Sequence, residues 1–287
     1  MNVITLQSVT KAYGEKIVLD GLNLSIKKNE VFGLLGKNGA GKTTTLECIE
    51  GLRKVDQGSI EVNGSLGVQL QSSSIPPLLK VEEIVTLFAK WNKVNPDDQL
   101  LDIMSLTSLR KSFYGLLSTG QKRRVHLALA LMKNPDILIL DEPTAGLDIE
   151  GKLEIYELIQ QLKRDGKTIV LSTHDLSEVE QLCDRVAIID HGKLIHCSTV
   201  KEFAQNHQRF MNLHVDVDGD LEGYTFDQST MCYVISTEDL HQTVTRLMKE
   251  IQSKNLRIRD IYVKKAQLET QFMHLLEKEE DYECLDV

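Results

Sequence analysis

Apolar residues along the chain fall into distinct rhythms, and each predicts a different kind of element. Over 3–9 and again in Leu22-Asn23-Leu24-Ser25-Ile26 they occupy alternate positions, the period of a half-buried antiparallel strand. Glu30-Val31-Phe32-Gly33-Leu34-Leu35 is nearly continuous instead, as a fully buried strand requires. It runs into a glycine-rich turn, after which residues 42–50 read as a helix stopped at Gly51. A further strand is expected over 66–71. Between about Pro76 and Pro135, apolar residues recur three or four apart over 81–90, 96–105 and 121–132, which predicts an inserted helical subdomain. Beyond Pro135, strands over 137–140, 168–172 and 186–190 alternate with helices over 149–164 and 176–182, the order of a parallel sheet covered by helices. His191-Gly192 then turns the chain into 193–197 as a hairpin.

From about Met211 the rhythm changes to strand (211–217), strand (231–235), helix (238–254), strand (256–263) and helix (266–276), a small α+β appendage. Residues 277–287 carry six acidic groups and one lysine, too polar to pack, and are expected to form a frayed tail. The expected domains are therefore 1–210, with its helical subdomain near 76–135, then 211–276 and the tail 277–287. No internal repeat is present.

Composition narrows the picture. With 287 residues, 41% hydrophobic and 26% charged, the chain can bury a sizeable core, so disorder throughout is excluded. No stretch approaches the ~20 apolar residues that span a bilayer. The first residues lack the basic segment and apolar core of a signal peptide, so the expected compartment is the cytosol. Cys48, Cys183, Cys197, Cys232 and Cys284 form no CxxC pair and are odd in number, which favours reduced thiols over a disulfide framework or zinc site. The net charge of −9 gives little reason for the chain to hold a nucleic-acid backbone. Residues 1–210 carry 25 basic and 26 acidic groups, whereas residues 211–287 carry 8 and 16, so the acidity sits in the last quarter.

Chemistry enters at Gly36-Lys37-Asn38-Gly39-Ala40-Gly41-Lys42-Thr43, which matches the phosphate loop G-x-x-x-x-G-K-[ST] between a strand and a helix. Its glycines let successive backbone N–H groups point at phosphate oxygens, and the helix adds the positive end of its dipole. Lys42 is expected to reach the β- and γ-phosphates and Thr43 to offer its hydroxyl to Mg²⁺. A plain glycine-rich turn would explain the glycines but not the lysine and threonine. Ile137-Leu138-Ile139-Leu140-Asp141-Glu142 places two carboxylates at the carboxyl edge of a buried strand, where open α/β sheets bind ligands. Asp141 is expected to hold Mg²⁺ directly or through water. Glu142 is expected to polarise the attacking water, a role worth about 10²- to 10⁴-fold in rate.

Leu117-Ser118-Thr119-Gly120-Gln121 precedes a helix and resembles the signature, usually LSGGQ, of ATP-binding cassette (ABC) ATPases. Thr119 departs from it by adding bulk where a glycine is usual. In that family the signature of one subunit faces the γ-phosphate held by the other, so the resemblance implies that Ser118, Gly120 and Gln121 bind nucleotide across a dimer. Ala145-Gly146-Leu147-Asp148 resembles the D-loop at the dimer seam. Tyr13 sits where the family stacks an aromatic ring on adenine, and His174 where it has the switch histidine at the γ-phosphate. Gln71 matches the Q-loop glutamine near Mg²⁺. Gln69 is a rival, and Gln71 is preferred because the helical insert begins directly after it. The phosphate loop together with Thr44 completes the implied nucleotide contacts.

The resemblance covers residues 1 to about 210 with the motifs in family order. It implies an α/β fold of P-loop NTPase type: a mixed sheet core, an antiparallel β subdomain and a helical subdomain, with the small C-terminal α+β domain appended. That appendage, with Gln267-Leu268-Glu269-Thr270-Gln271-Phe272, resembles the one carried by ATPases of drug and antibiotic exporters. The implied function is ATP hydrolysis with Mg²⁺ by a homodimer, or by a pair with a related ATPase subunit. This would energise a separate transmembrane permease from the cytoplasmic face of the membrane, with no nucleic acid as partner. Two other classes share these motifs, an ATPase acting on nucleic acid and an ATP-binding regulatory module. The first normally carries a long coiled coil between phosphate loop and signature, where only 75 residues without sustained heptads stand here.

Overall fold

The computed structural model describes residues 1–69, 75–95, 98–206, 211–221, 223–227, 230–237 and 239–265. The predicted helix 266–276, the tail 277–287 and Gln71 lie outside the described residues. Two compact units are present, Met1–Val200 and Lys201–Val287.

The first unit opens with β1 (Asn2–Tyr13) and β2 (Lys16–Lys27), an antiparallel hairpin. β3 (Val31–Leu35), buried at all five positions, then feeds α1 (Lys42–Ile49). β4 (Gln57–Val62) pairs with the other edge of β1, giving a three-stranded antiparallel sheet in the order β2-β1-β4. After β5 (Leu66–Gln69) come the helices α2 (Val81–Asn92), α3 (Asp98–Ile103) and α4 (Thr119–Leu131). β6 (Ile137–Asp141), α5 (Ile149–Arg164), β7 (Thr168–Thr173), α6 (Leu176–Leu182) and β8 (Arg185–Asp190) alternate, and β9 (Lys193–Thr199) folds back on β8. The main sheet runs β5-β6-β7-β3-β8-β9, parallel except at β9. β3, β6 and β7 are buried at every position, which is why β3 and β6 read as nearly continuous apolar runs and β7 carries one at Ile169-Val170-Leu171. One core joins Ile4, Leu24 and Ile26 of the small sheet to Phe32, Leu34 and Ile139 of the large one, with Leu46 and Ile49 of α1 packed between.

Two differences from the sequence expectation have plain causes. β4 was not expected, because in Gln57-Gly58-Ser59-Ile60-Glu61-Val62 only the last residues alternate; its pairing is supplied by the open edge of β1. α3 stops at Ile103, short of the predicted end at 105, and Ser105 follows at a positive φ of 53°, which stops a helix.

α7 (Val200–Asn206) bridges the boundary between the units. The second unit contains β10 (Met211–Val217), β11 (Thr225–Asp227), β12 (Cys232–Thr237), α8 (Leu240–Ser253) and β13 (Ile258–Lys265), with the antiparallel order β11-β12-β10-β13. Asp239 caps α8 by accepting from Gln242 N, and Leu247 and Ile251 of the helix pack with Leu213, Val215 and Ile235.

One turn ties the large sheet to the phosphate loop. Gly192, between β8 and β9, donates its N–H to Ala40 O at 3.0 Å and accepts from Asp20 N at 3.0 Å. Its φ is +80°, and an added Cβ would lie 2.2 Å from Val18 O. Gly192→Ala should therefore cost about 2 kcal/mol or more in urea unfolding. Gly14→Ala, at φ +63° with nothing within 4 Å, should cost only about 1 kcal/mol. Equal losses would contradict the packing role given to Gly192.

Candidate functional site

The site forms where neighbouring strands of the main sheet end. β3 stops at Leu35 and the chain enters the loop Gly36–Thr43, in which Gly36 and Ala40 are buried while Lys37, Asn38 and Gly39 face outward. Gly41 begins α1 at φ +105° and no side chain caps the helix, so its first N–H groups are free of side-chain partners. Lys42 is only 5% exposed and lies back over the loop, donating from Nζ to Gly36 O (2.7 Å) and Lys37 O (3.1 Å). Burial pulls its ammonium below the ordinary lysine range, while Glu142 and Asp141 oppose that pull.

Asp141 ends β6 in register with Ser172 of β7. Thr43 Oγ1 donates to Asp141 Oδ2 at 3.0 Å, and the Ser172 hydroxyl donates to Asp141 Oδ1. Glu142 follows at φ +48°, uncommon for a non-glycine residue. Its N–H donates to Ser172 Oγ (3.1 Å) and Ser172 O (3.3 Å), which fixes that turn. The Glu142 carboxylate Oε1 lies 3.1 Å from His174 Nδ1. Lys42, Thr43, Asp141, Glu142 and His174 are thus brought together along one sheet edge. Thr44 is half-buried on the first turn of α1.

Other predicted residues stand apart from that edge. Ser118 caps α4: its Oγ accepts from Gln121 N (3.2 Å), and Gln121 Oε1 accepts from Ser118 N (3.0 Å). Ser118, Thr119 and Gly120 line a cleft of about 370 Å³ with Gly146, Leu147 and Asp148, and no residue of the phosphate loop lines it. Asp148 caps α5 by accepting from Gly151 N at 2.9 Å. Tyr13 is 43% exposed, with Lys11 Nζ 5.6 Å and the Arg53 guanidinium 5.7 Å from its ring centroid. Gln69 is buried in β5 beside Leu140, with neither amide atom hydrogen-bonded among the described residues.

Sequence reasoning missed Ser172, which orients Asp141. A serine at the carboxyl end of a strand next in order to an acid-tipped strand was the available signal, but the register that joins them is set by the sheet. It also missed Glu50, at the end of α1, whose carboxyl is pushed up to about 7 by burial first, then by Asp141 and Glu47.

A lysine held over a glycine loop, beside a threonine–aspartate pair and a glutamate at the sheet's carboxyl edge, defines a nucleoside-triphosphate-binding α/β protein. Comparison with known proteins sharpens the class. Residues 19–145 match the ABC transporter family model. The chain is 30% identical to the linearmycin resistance ATP-binding protein LnrL of Bacillus subtilis, over 95% of this chain and 98% of that protein. It is 38% identical to the Nod factor export ATP-binding protein I of Burkholderia orbicola, over 67% of this chain and 69% of that protein. Among solved structures, a dimeric ATP-binding cassette in a post-hydrolysis state bound to ADP and Pi superposes with a TM-score of 0.62 at 28% identity, covering 69% of this chain and 98% of that one. The chain belongs to the ABC transporter family, as an ATP-binding subunit with ATPase activity. Cassettes of this family act as dimers with transmembrane permeases, and no described helix of this chain is long and apolar enough to cross a membrane.

The raised carboxyl of Glu50 gives a signed prediction. Its folded value, about 7, lies above its ordinary value of 4.5, so its contribution to stability is fully present below pH 4.5 and is lost as pH rises through 7. Glu50→Gln should stabilise the protein at pH 8 by about 1 kcal/mol, after allowing for its partial exposure, and should match wild type near pH 4. Urea unfolding at the two pH values checks this, and equal stabilities at pH 8 would contradict it.

Proposed function

We propose that this chain is the ATP-hydrolysing subunit of an exporter of drugs, antibiotics or other hydrophobic compounds. In this role it drives a separate permease from the cytoplasmic face of the membrane. The observation that carries the hydrolytic part is the single edge on which Lys42, the Thr43–Asp141–Ser172 chain and the Glu142–His174 pair meet. The export part rests on the resistance and export relatives.

In this account the N–H groups of Gly36, Lys37, Asn38, Gly39, Ala40 and Gly41 and the start of α1 surround the phosphates of ATP, with Thr44 completing the cradle. Lys42 exchanges its carbonyl partners for β- and γ-phosphate oxygens. Thr43 and Asp141 would hold Mg²⁺, together with Gln71. The fit rests on the donor set, since a hydroxyl oxygen and a carboxylate oxygen 3.0 Å apart are the hard oxygen ligands this ion prefers. When bound, the ion neutralises charge on the β- and γ-phosphate oxygens. Glu142 accepts the proton of the attacking water, and His174, against its carboxylate, contacts the γ-phosphate. Tyr13 offers its exposed ring to adenine. Ser118, Gly120, Gln121 and Asp148 line or flank a cleft separate from the phosphate loop, which suits them to close on the nucleotide of a second subunit, either a copy of this chain or a relative.

Glu142→Gln tests the assignment. The variant should keep ATP binding, lose turnover by about 10²- to 10⁴-fold, and elute as an ATP-dependent dimer in size-exclusion chromatography. Near-normal hydrolysis would contradict the assigned base. The export part predicts co-purification with a multi-span membrane protein whose reconstitution raises ATP turnover.

A further inference from the structure

His174 is exposed, with a side chain 56% accessible, yet its ring is held 3.1 Å from Glu142. Something must fix the backbone that carries it. β7 ends at Thr173 and α6 begins at Leu176, so His174 and Asp175 form a two-residue joint between a buried strand and a short helix. Asp175 pins that joint from three sides. Its N–H donates to Thr173 Oγ1 (2.9 Å), its Oδ1 caps α6 by accepting from Ser177 N (2.9 Å), and its Oδ2 accepts from Lys152 Nζ (2.9 Å). Burial pushes the Asp175 carboxyl up, but the hydrogen bonds from Ser177 and Lys152 outweigh it and leave it below its ordinary range.

Lys152 belongs to a different element. It lies on the first turn of α5, where its own N–H donates to Asp148 O at 2.9 Å. Its ammonium is held above the ordinary range by the bond to Asp175. A contiguous set of contacts therefore runs from Asp148 through Lys152 and Asp175 to His174 and Glu142. Lys152, Asp175, His174 and Glu142 line one cavity of about 260 Å³, together with Ala145, Gly146 and Leu147 of the segment before α5.

We propose that the Lys152–Asp175 ion pair is a brace that positions His174 against Glu142 and makes that geometry follow the placement of the Ala145–Asp148 segment. Lys152 is a positioning residue: it acts on hydrolysis through the joint at His174–Asp175, not by touching ATP. Both partners are about a third exposed, so the pair adds little to the stability of the fold. Its removal should therefore be felt in turnover far more than in unfolding. A small displacement of a reacting group is enough, since misplacement by about 1 Å can cost 10²-fold. The proposal rests on the assignment of Glu142 and His174 to hydrolysis.

The test uses the full chain with Lys152→Met, Lys152→Arg and Asp175→Asn, the last keeping a residue able to cap α6. Steady-state ATPase, the thermal midpoint and the imidazole nitrogen resonances of His174 at fixed pH are measured, with His174→Gln assigning the resonances in ¹⁵N-histidine protein. Lys152→Met should lower kcat about 10-fold or more at unchanged KM for ATP. It should also move the His174 resonances toward those of a free imidazole while leaving the thermal midpoint near wild type. Lys152→Arg should restore both readouts, and Lys152→Met combined with Asp175→Asn should cost no more than either alone. Wild-type kcat in Lys152→Met, unmoved His174 resonances, a loss that Lys152→Arg does not restore, or a collapse of the thermal midpoint would each overturn the brace. Because the resonances report the position of His174 whatever its role, failure of the brace is told apart from failure of the underlying assignment, which Glu142→Gln turnover decides.

Discussion

Lys42 carries an ammonium group into a place almost closed to water, and the chain around it is arranged to make that charge tolerable. An unpaired buried cation would cost several kcal/mol. Here two loop carbonyls accept from it directly, and the carboxylates of Asp141 and Glu142 act on it from the end of β6. Those partners are modest compared with a triphosphate, which offers the same ammonium several full negative charges. The lysine is thus stable where it lies and still favours an anion that can replace the carbonyls.

The strand order makes this arrangement possible. With β6, β7 and β3 adjacent in the sheet, the carboxyl ends that carry Asp141, Ser172 and the phosphate loop come together, although up to 136 positions separate them along the chain. Parallel pairing of β3 with β7 and of β6 with β7 places these ends on one edge. Gly192, from the turn after β8, then closes the back of the loop through Ala40. Catalytic placement is therefore a property of the sheet, and the loop is held by neighbours on both flanks.

Parts of this were legible in the sequence for specific reasons. The unbroken apolar runs of β3 and β6 announced strands covered on both faces, and the lysine and threonine after the glycines had no purpose in a mere turn. Other parts were hidden because they depend on pairing between distant segments. β4 has a polar sequence and exists because β1 has an edge to fill. Ser172 becomes a partner of Asp141 only through the register of β6 with β7. The contact between Lys152 of α5 and Asp175, in the joint before α6, links two separate elements and leaves no periodic trace in the chain. The paired helix cap of Ser118 and Gln121 explains the local shape of that segment completely, so a role across a dimer had to come from resemblance.

The central claim is that one ammonium group and a cradle of backbone amides bind the phosphates of ATP. Isothermal titration of purified chain with ATP and Mg²⁺ tests it most directly, beside Lys42→Met, which removes the charge and nearly preserves the length of the side chain. The account predicts one nucleotide bound per chain in the wild type and loss of most of that affinity in the variant. Failure of the wild type to bind, or undiminished binding by Lys42→Met, would contradict it.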